Sequence, residues 1–303
     1  MITSSLTGER FGKTKLVLGQ FDEIVRTKRT NFISNLKIFS EPYPHTILDD
    51  TLSNKVIDKI LHNWPMRRWK PEVPGNYTYE PFLSPSWIFK NRKTNISKLN
   101  FLERLFFETI SDLTREVIFF FREYLPDNNL KEEIICDFAG FMNSDSNYKG
   151  HGIHQHSYHN PNWLVTILIY LEENISHLNG TAIHKIKGCP TVEEIARISS
   201  DTLNWFNHPD IKLFKNYEFK RGQMLAFLDS PISFHSVEKS INDQSNRRIL
   251  RIHAGFSNDW VKKRYSMSTR KFKAMALDQL RRHEFEEIVY NDLKDYSTRK
   301  CWK

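Results

Sequence analysis

The spacing of hydrophobic positions divides the chain into a helical first part and a later part built of short strands. One apolar stripe predicts a helix over 54–63, and a longer amphipathic pattern predicts another over 99–124. From about Ile134 the pattern changes to short apolar stretches separated by turn residues, which is typical of strands. We expect these strands at 134–142, 152–156, 164–171, 181–185, 224–228 and 249–256.

This order of elements predicts an α+β fold with one main domain. Helices outside many short strands favour a jelly roll, a cupin-like double-stranded β-helix, flanked by N-terminal and C-terminal helices. We predict an N-terminal arm over 1–40 and a single domain over 41–303. Within that domain we expect helical support over 50–125, the jelly-roll core over 134–258 and a C-terminal helix over 271–293. The Pro- and aromatic-rich residues 66–95 are expected to form a long ordered loop, and the insertion 188–219 a short helix over 192–198.

Composition and charge exclude few classes of binding partner. The formal charge of +8 fits either a well-solvated basic surface or an anionic partner. The sequence contains no specific nucleic-acid motif, and its longest apolar run, 164–171, is far too short to span a bilayer. Three scattered cysteines without CxxC spacing, and an N-terminus without an apolar segment, lead us to expect a cytoplasmic protein.

Histidines and arginines are the candidate chemical groups. His235 opens a predicted strand, and Arg247 with Arg248 follows about a dozen residues later, at the start of the next strand. A second cluster, 151–156, contains three histidines upstream. A neutral imidazole can bind a divalent metal, and a guanidinium can hold a carboxylate through two hydrogen bonds. The pattern therefore suggests a mononuclear iron site with an organic-acid cosubstrate.

Several segments resemble, in the same order, motifs of the 2-oxoglutarate/Fe(II)-dependent oxygenase superfamily, closest to its prolyl-hydroxylase-like branch. They are the opening segment 44–53, the residues 148–156, the strand 166–171, Asn179-Gly180-Thr181, 221–227 and the distal histidine motif 233–237. The resemblance covers roughly residues 42–258. It implies a jelly-roll oxidoreductase, a dioxygenase that uses Fe(II) and 2-oxoglutarate as cofactors.

The resemblance also implies roles for individual residues. His156 and His235 would be the catalytic metal ligands. Arg247 or Arg248 would bind the distal carboxylate of 2-oxoglutarate, and strand alternation allows only one of the two to point inward. Further hydroxyl groups for the cosubstrate are expected from Tyr148 and Thr166, the remaining cofactor-binding candidates.

The sequence departs from the family pattern at the third iron ligand. The family places a carboxylate two residues after the first histidine, but His156 is followed by Ser157 and Tyr158, and no Asp or Glu occurs between 145 and 172. Several alternatives stay open. The iron could have two histidines with water or a halide, or a third nitrogen from the His154 and His156 pair or from His159. Tyr158 could coordinate instead, or the site could be degenerate.

The function predicted from the sequence is that of an oxygenase with an atypical metal site. It would hydroxylate a C–H bond of a small-molecule, sugar, nucleotide or peptidyl substrate, and the basic charge is compatible with an anionic one. The alternative is a catalytically degenerate jelly-roll binding protein of the same fold, because the carboxylate is missing.

Overall fold

The computed structural model describes the central part of the chain. The described residues are 36–65, 70–73, 75–82, 101–104, 111–121, 124, 134–145, 148, 150–156, 163–172, 180–188, 190–200, 208–237, 247–256 and 262. The predicted C-terminal helix, 271–293, lies outside these residues, as does most of the predicted arm, 1–40. Among the described residues, no helix is long and apolar enough to cross a lipid bilayer.

The described strands form two antiparallel sheets. The strands are β1 (Ile38–Phe39), β2 (His45–Leu48), β3 (Lys70–Val73), β4 (Asn76–Phe82), β5 (Ile134–Ser144), β6 (His151–His154), β7 (Trp163–Tyr170), β8 (Ala182–Ile186), β9 (Ile211–Asn216), β10 (Met224–Leu228), β11 (His235–Val237) and β12 (Arg247–Phe256). The larger sheet has the order β1-β2-β10-β7-β12-β5-β4-β3 and the smaller sheet the order β6-β11-β8-β9.

The path of the chain between the sheets makes this a jelly roll. From β5 onward the strands alternate between the larger and the smaller sheet, except that β8 and β9 are consecutive in the smaller one. This winding of two facing antiparallel sheets confirms the fold class predicted from the sequence. The predicted strand over 224–228 coincides with β10, and the other five predicted strands overlap β5, β6, β7, β8 and β12.

The described helices are α1 (Asn54–His62), α2 (Phe101–Arg104), α3 (Ser111–Phe120) and α4 (Val192–Ser200). The first is capped by Ser53, whose hydroxyl accepts a hydrogen bond from the Val56 amide at 3.4 Å. The described helices α2 and α3 both lie inside the predicted helical span 99–124, and α4 contains the predicted helix 192–198.

Alternating side chains divide the core into two layers. Along β7, Ile167 and Ile169 belong to the cluster that packs against the helices, together with residues of α1 and α3. Leu168 and Tyr170 belong instead to a second cluster shared with Ile183 of the smaller sheet. Because successive side chains of a strand point to opposite faces, the second cluster lies between the two sheets. The pocket described below lies in the same space.

Besides the two-residue β1 in the predicted arm, three strands occur where the sequence predicted none. The expected loop over 66–95 contains β3 and β4, which pair with each other and extend the larger sheet through β5. The insertion 188–219 contains β9, which pairs with β8. In β9 the middle four residues are exposed, so the strand lacks a buried alternating face from which it could be predicted.

Candidate metal and cosubstrate site

A pocket between the sheets is lined by most of the residues predicted from the sequence. They are Tyr148, His154, His156, Thr166, His235 and Arg247. Arg248 is absent from this lining, and Tyr158 and His159 lie outside the described residues. The fold therefore brings candidates that are almost 100 positions apart in the chain into one pocket.

Three histidines converge at this pocket. His154 is the last residue of β6 and is the direct strand partner of His235, the first residue of β11. His156 follows two positions after His154, and its ring centroid lies 4.6 Å from that of His235. The potential ligand atoms of the three side chains all lie within 4.8 Å of one another. This distance suits three nitrogens that share one metal ion.

The hydrogen bonds of the three rings use the same nitrogen on each. Nδ1 of His154 lies 2.7 Å from the Gly152 carbonyl oxygen, and Nδ1 of His235 lies 2.8 Å from that of Ser233. Nδ1 of His156 lies 2.9 Å from Oδ1 of Asp229 and 3.0 Å from the Thr166 hydroxyl oxygen. Since carbonyl and carboxylate oxygens accept hydrogen bonds, each Nδ1 carries the proton and donates. A metal would bind rings in this tautomer through Nε2.

Burial favours the neutral form of His154 and of His235. It is the main cause that lowers the pKa of His154 and of His235 well below the usual value, and the neighbouring histidines lower both further. The bonds to Gly152 and Ser233 raise the pKa but do not outweigh burial. A metal binds the neutral imidazole, so the pocket favours the form that can coordinate.

Asp229 is a site residue that the sequence did not suggest. It follows β10 directly, its side chain is fully buried, and it lies 73 positions from its partner His156. Its second oxygen, Oδ2, accepts a hydrogen bond from the Thr166 hydroxyl at 2.7 Å. A carboxylate placed directly after a buried strand and before the distal histidine was the only available signal. The family pattern directs attention elsewhere, to the residues after His156.

His253 is a second buried residue of this network. Its Nδ1 lies 2.9 Å from the Thr166 hydroxyl oxygen, and its ring lies nearly perpendicular to that of His156. His156, Asp229 and His253 also form a group whose polar atoms are close enough for a metal. These atoms already form hydrogen bonds, however: Nδ1 of His156 bonds to Asp229, and the Thr166 hydroxyl bonds to both Asp229 and His253. This favours the three histidines as the ligand set.

The two candidate arginines lie on opposite faces of β12. Arg247 is buried, lines the pocket and holds its guanidinium 5.3 Å above the ring of Phe219. Arg248 points away from the pocket, forms an ion pair with Glu172 at 3.0 Å and stacks over Trp64. The sequence predicted that only one of the pair points inward, and the structure places Arg247 there.

Charge and hydroxyl groups around Arg247 suit an acidic ligand. Burial lowers the pKa of Arg247, whereas the phenols of Tyr148 and Tyr170 act in the opposite direction. Tyr148 lines the same pocket as the guanidinium. The hydroxyl of Thr166 instead gives its hydrogen to Asp229. The cosubstrate roles of both residues stay predictions.

The donor set fits a divalent metal with an organic-acid ligand. Three imidazoles suit iron among other first-row metals. A buried guanidinium in the same pocket can hold the carboxylate of a bound acid through two hydrogen bonds. The pocket thus contains groups suited to a metal and groups suited to an acid.

Comparison with known proteins gives structural neighbours only. No protein-family model matches the sequence, and no curated protein matches it either. Among solved structures, a prolyl-4-hydroxylase from Pseudomonas putida has a TM-score of 0.43 at 10% identity, covering 70% of this chain and 92% of its own. HygX from Streptomyces hygroscopicus, with nickel and 2-oxoglutarate bound, has a TM-score of 0.42 at 12% identity, covering 70% and 83%.

A third neighbour is a viral collagen prolyl hydroxylase from Paramecium Bursaria Chlorella virus-1 in complex with 2-oxoglutarate. Its TM-score is 0.41 at 10% identity, covering 70% of this chain and 96% of its own. Two of these three neighbours are named prolyl hydroxylases, and two contain 2-oxoglutarate. Similarity of this extent does not decide function, which depends on the site itself.

Proposed function

We propose that this protein is a 2-oxoglutarate/Fe(II)-dependent oxygenase whose iron is held by His154, His156 and His235. The observation that carries the proposal is the convergence of three imidazoles in one pocket with a buried guanidinium. One ligand nitrogen of each ring lies within 4.8 Å of the other two, and each Nδ1 donates to an oxygen, so the metal would bind through Nε2. Among the alternatives left open by the sequence, this geometry supports a third nitrogen ligand from the His154 and His156 pair.

Arg247 is proposed to bind the distal carboxylate of 2-oxoglutarate. Its guanidinium is buried in the same pocket as the histidines and is held in place by the ring of Phe219. A planar guanidinium matches a carboxylate with two parallel hydrogen bonds, which are stronger where water is excluded. Tyr148 adds a phenol to the lining of the same pocket. Together the two residues would orient the acid toward the metal.

In this proposal the cofactors and the protein residues have different roles in the reaction. When bound, iron and 2-oxoglutarate supply the oxidising chemistry, which amino-acid side chains cannot provide. The chain's own residues bind the acid, orient the ligands and exclude water. Phe227 contributes to that exclusion, because it is fully buried and its ring centroid lies 4.7 Å from that of His235.

The substrate is proposed to be a small molecule or a peptide that is hydroxylated at a C–H bond. A second arginine, Arg251, lies two residues after Ile249 on β12 and lines the same pocket. This cation in the pocket, together with the basic charge of the chain, supports an anionic group on the substrate.

The proposal is tested by adding Fe(II) and 2-oxoglutarate to the purified protein without oxygen. A visible charge-transfer band, absent when either component is omitted, is the expected result. Admission of oxygen should then produce succinate, at a rate that increases when the correct substrate class is supplied. If the protein takes up iron but shows no band and forms no succinate, the alternative of a jelly-roll binding protein is the better description.

A further inference from the structure

Asp229 occupies an unusual electrostatic position beside the three histidines. Its side chain is fully buried, a position in which a carboxylate is unfavourable unless its oxygens are hydrogen-bonded. Both oxygens are: Oδ1 accepts from Nδ1 of His156 at 2.9 Å, and Oδ2 accepts from the Thr166 hydroxyl at 2.7 Å. The buried group is therefore satisfied by the same network that orients a proposed ligand.

The direction of every hydrogen bond in this network can be assigned. Thr166 has one hydroxyl hydrogen, and it is given to Asp229. The Thr166 oxygen then serves as the acceptor for Nδ1 of His253, 2.9 Å away. His156 likewise donates its Nδ1 hydrogen to Asp229, and the Thr166 oxygen lies 3.0 Å from the same nitrogen. The Thr166 hydroxyl and the His156 ring thus both donate to Asp229, which accepts on both oxygens, as an ionised carboxylate does.

The backbone around Asp229 is fixed by a tight turn. Asp229 stands at the end of β10 in the larger sheet, and the turn leads to His235 in the smaller sheet. The Ser230 and Ser233 hydroxyls lie 2.7 Å apart, and the Ser233 oxygen accepts from the Ser230 amide at 3.0 Å. The carboxylate therefore has a defined place relative to His156 across the two sheets.

We infer that Asp229 is a positioning residue that supplies the carboxylate of this metal centre through His156, without coordinating the metal. The inference rests on the proposed function for the identity of the ligands. A carboxylate hydrogen-bonded to a metal-binding histidine fixes its tautomer and ring orientation and makes the ring a stronger donor. The three histidines carry no negative charge, and Asp229 would supply one through its hydrogen bond to His156.

The first test removes the negative charge of Asp229, in one variant with the shape of the side chain retained. We compare the wild type with Asp229→Asn and Asp229→Ala by titrating the oxygen-free protein with Fe(II) alone. Removal of such outer partners lowers metal affinity by about 10- to 100-fold. Asp229→Asn should show that loss, and Asp229→Ala at least as much. Thr166→Val is the matched control, since it removes a hydrogen bond of the network but no charge, and its loss should be clearly smaller.

A spectroscopic readout separates this role from simple structural support. With 2-oxoglutarate added, the charge-transfer band of Asp229→Asn should move to shorter wavelength, because a poorer donor leaves the iron less electron-rich. Thermal melting of each metal-free variant shows whether it is folded. A folded Asp229→Asn variant with wild-type iron affinity and an unshifted band would overturn the inference.

A measurement on the wild type covers the case in which the variants do not fold. Nitrogen NMR of the histidine rings in the Zn(II)-loaded protein should show His156 bound through Nε2, with a strongly hydrogen-bonded proton on Nδ1. Binding through Nδ1 would overturn the inference. So would loss of metal uptake in His253→Phe together with retained uptake in His154→Ala, because those results place the metal between His156, Asp229 and His253.

The two proposals can fail separately. The Fe(II) titration needs no cosubstrate, so an Asp229-dependent affinity would stand even if no 2-oxoglutarate band formed. Conversely, a wild-type protein that turns over 2-oxoglutarate with no dependence of its metal site on Asp229 would keep the proposed function and remove only this inference.

Discussion

His154 and His235 face each other across β6 and β11 as direct strand partners, with ring centroids 4.1 Å apart. This pairing gives His154 the position at the end of β6 that the sequence assigned to His156. His156 lies two residues later, at the spacing where the motif described above has its carboxylate. If His154, His156 and His235 hold the metal as proposed, a third histidine would take the role of the missing carboxylate.

Loss of a ligand should abolish metal binding without unfolding the protein. We expect His154→Ala and His235→Ala each to bind Fe(II) too weakly to detect, because two imidazoles remain from three. His151→Ala is the control: its ring lies 4.2 Å from that of His154 and lines the same pocket, but it is outside the three-histidine group. Calorimetric titration measures all three. Equal iron affinity in His154→Ala and His151→Ala would remove His154 from the ligand set.

The two arginines of β12 should differ in their effect on 2-oxoglutarate. Replacing Arg247 by Met removes charged hydrogen bonds of about 1.5–3 kcal/mol each, which corresponds to at least about a tenfold rise in the Kd of 2-oxoglutarate. Arg248→Met should leave that Kd unchanged, since its guanidinium pairs with Glu172 outside the pocket. Following the charge-transfer band during titration gives both constants. The reverse order would place the acid on the opposite face of β12.

His184 should make the stability of the metal-free protein depend on pH. Burial lowers the pKa of His184 to about 4, while its Nε2 shares a hydrogen bond with the Ser236 hydroxyl. The unfolded chain takes up a proton on this residue near its ordinary pKa, so the folded state binds fewer protons below about pH 6.5. Its contribution to stability therefore falls as the pH drops from about 6.5 to about 4, and then levels off.

Urea unfolding across this range, compared with His184→Gln, isolates the residue. The stability difference between the two proteins should shrink or reverse toward acid pH. Parallel pH profiles would show that His184 does not titrate differently in the folded and unfolded states.

Gly180 should tolerate no side chain. A Cβ at this position would lie 1.4 Å from the carbonyl oxygen of Tyr217, which belongs to the segment after β9. Alanine must push the two backbones apart, at a cost of about 1–3 kcal/mol or more. Gly188→Ala is the matched control, because its φ is +72° but no atom lies within 4 Å of the added carbon. That variant should lose only about 1 kcal/mol, and denaturant unfolding that ranks the two in the opposite order would contradict the packing.

Much of this fold could be predicted from its hydrophobic pattern, and the exceptions have physical causes. β7 and β10 are almost fully buried, so they appear as continuous apolar runs with clear ends. β9 stands at a sheet end in the described part of the chain, and its middle four residues are exposed, so it buries too little for a pattern to show. The sequence identified the histidines and arginines, but only the register of β12 could decide between Arg247 and Arg248.

Asp229 shows a different limit of sequence reasoning. Its link to His156 spans 73 positions and depends on how β10 and β6 approach each other across two sheets. The spacing of residues along the sequence does not indicate such a long-range contact. A motif therefore locates ligands that share a strand, whereas the charge that supports them can come from any strand that the fold brings near.

The two facing sheets divide the site between them. His154 and His235 come from the smaller sheet, whereas Arg247, Thr166 and the strand that ends before Asp229 belong to the larger one. A disturbance that separates the layers would release the organic acid first, while the imidazoles stay together on their own strands. On the proposed assignments, changes around Arg247 would therefore alter acid selectivity within one layer, whereas changes at Asp229 would reach the metal ligands through its hydrogen bond to His156.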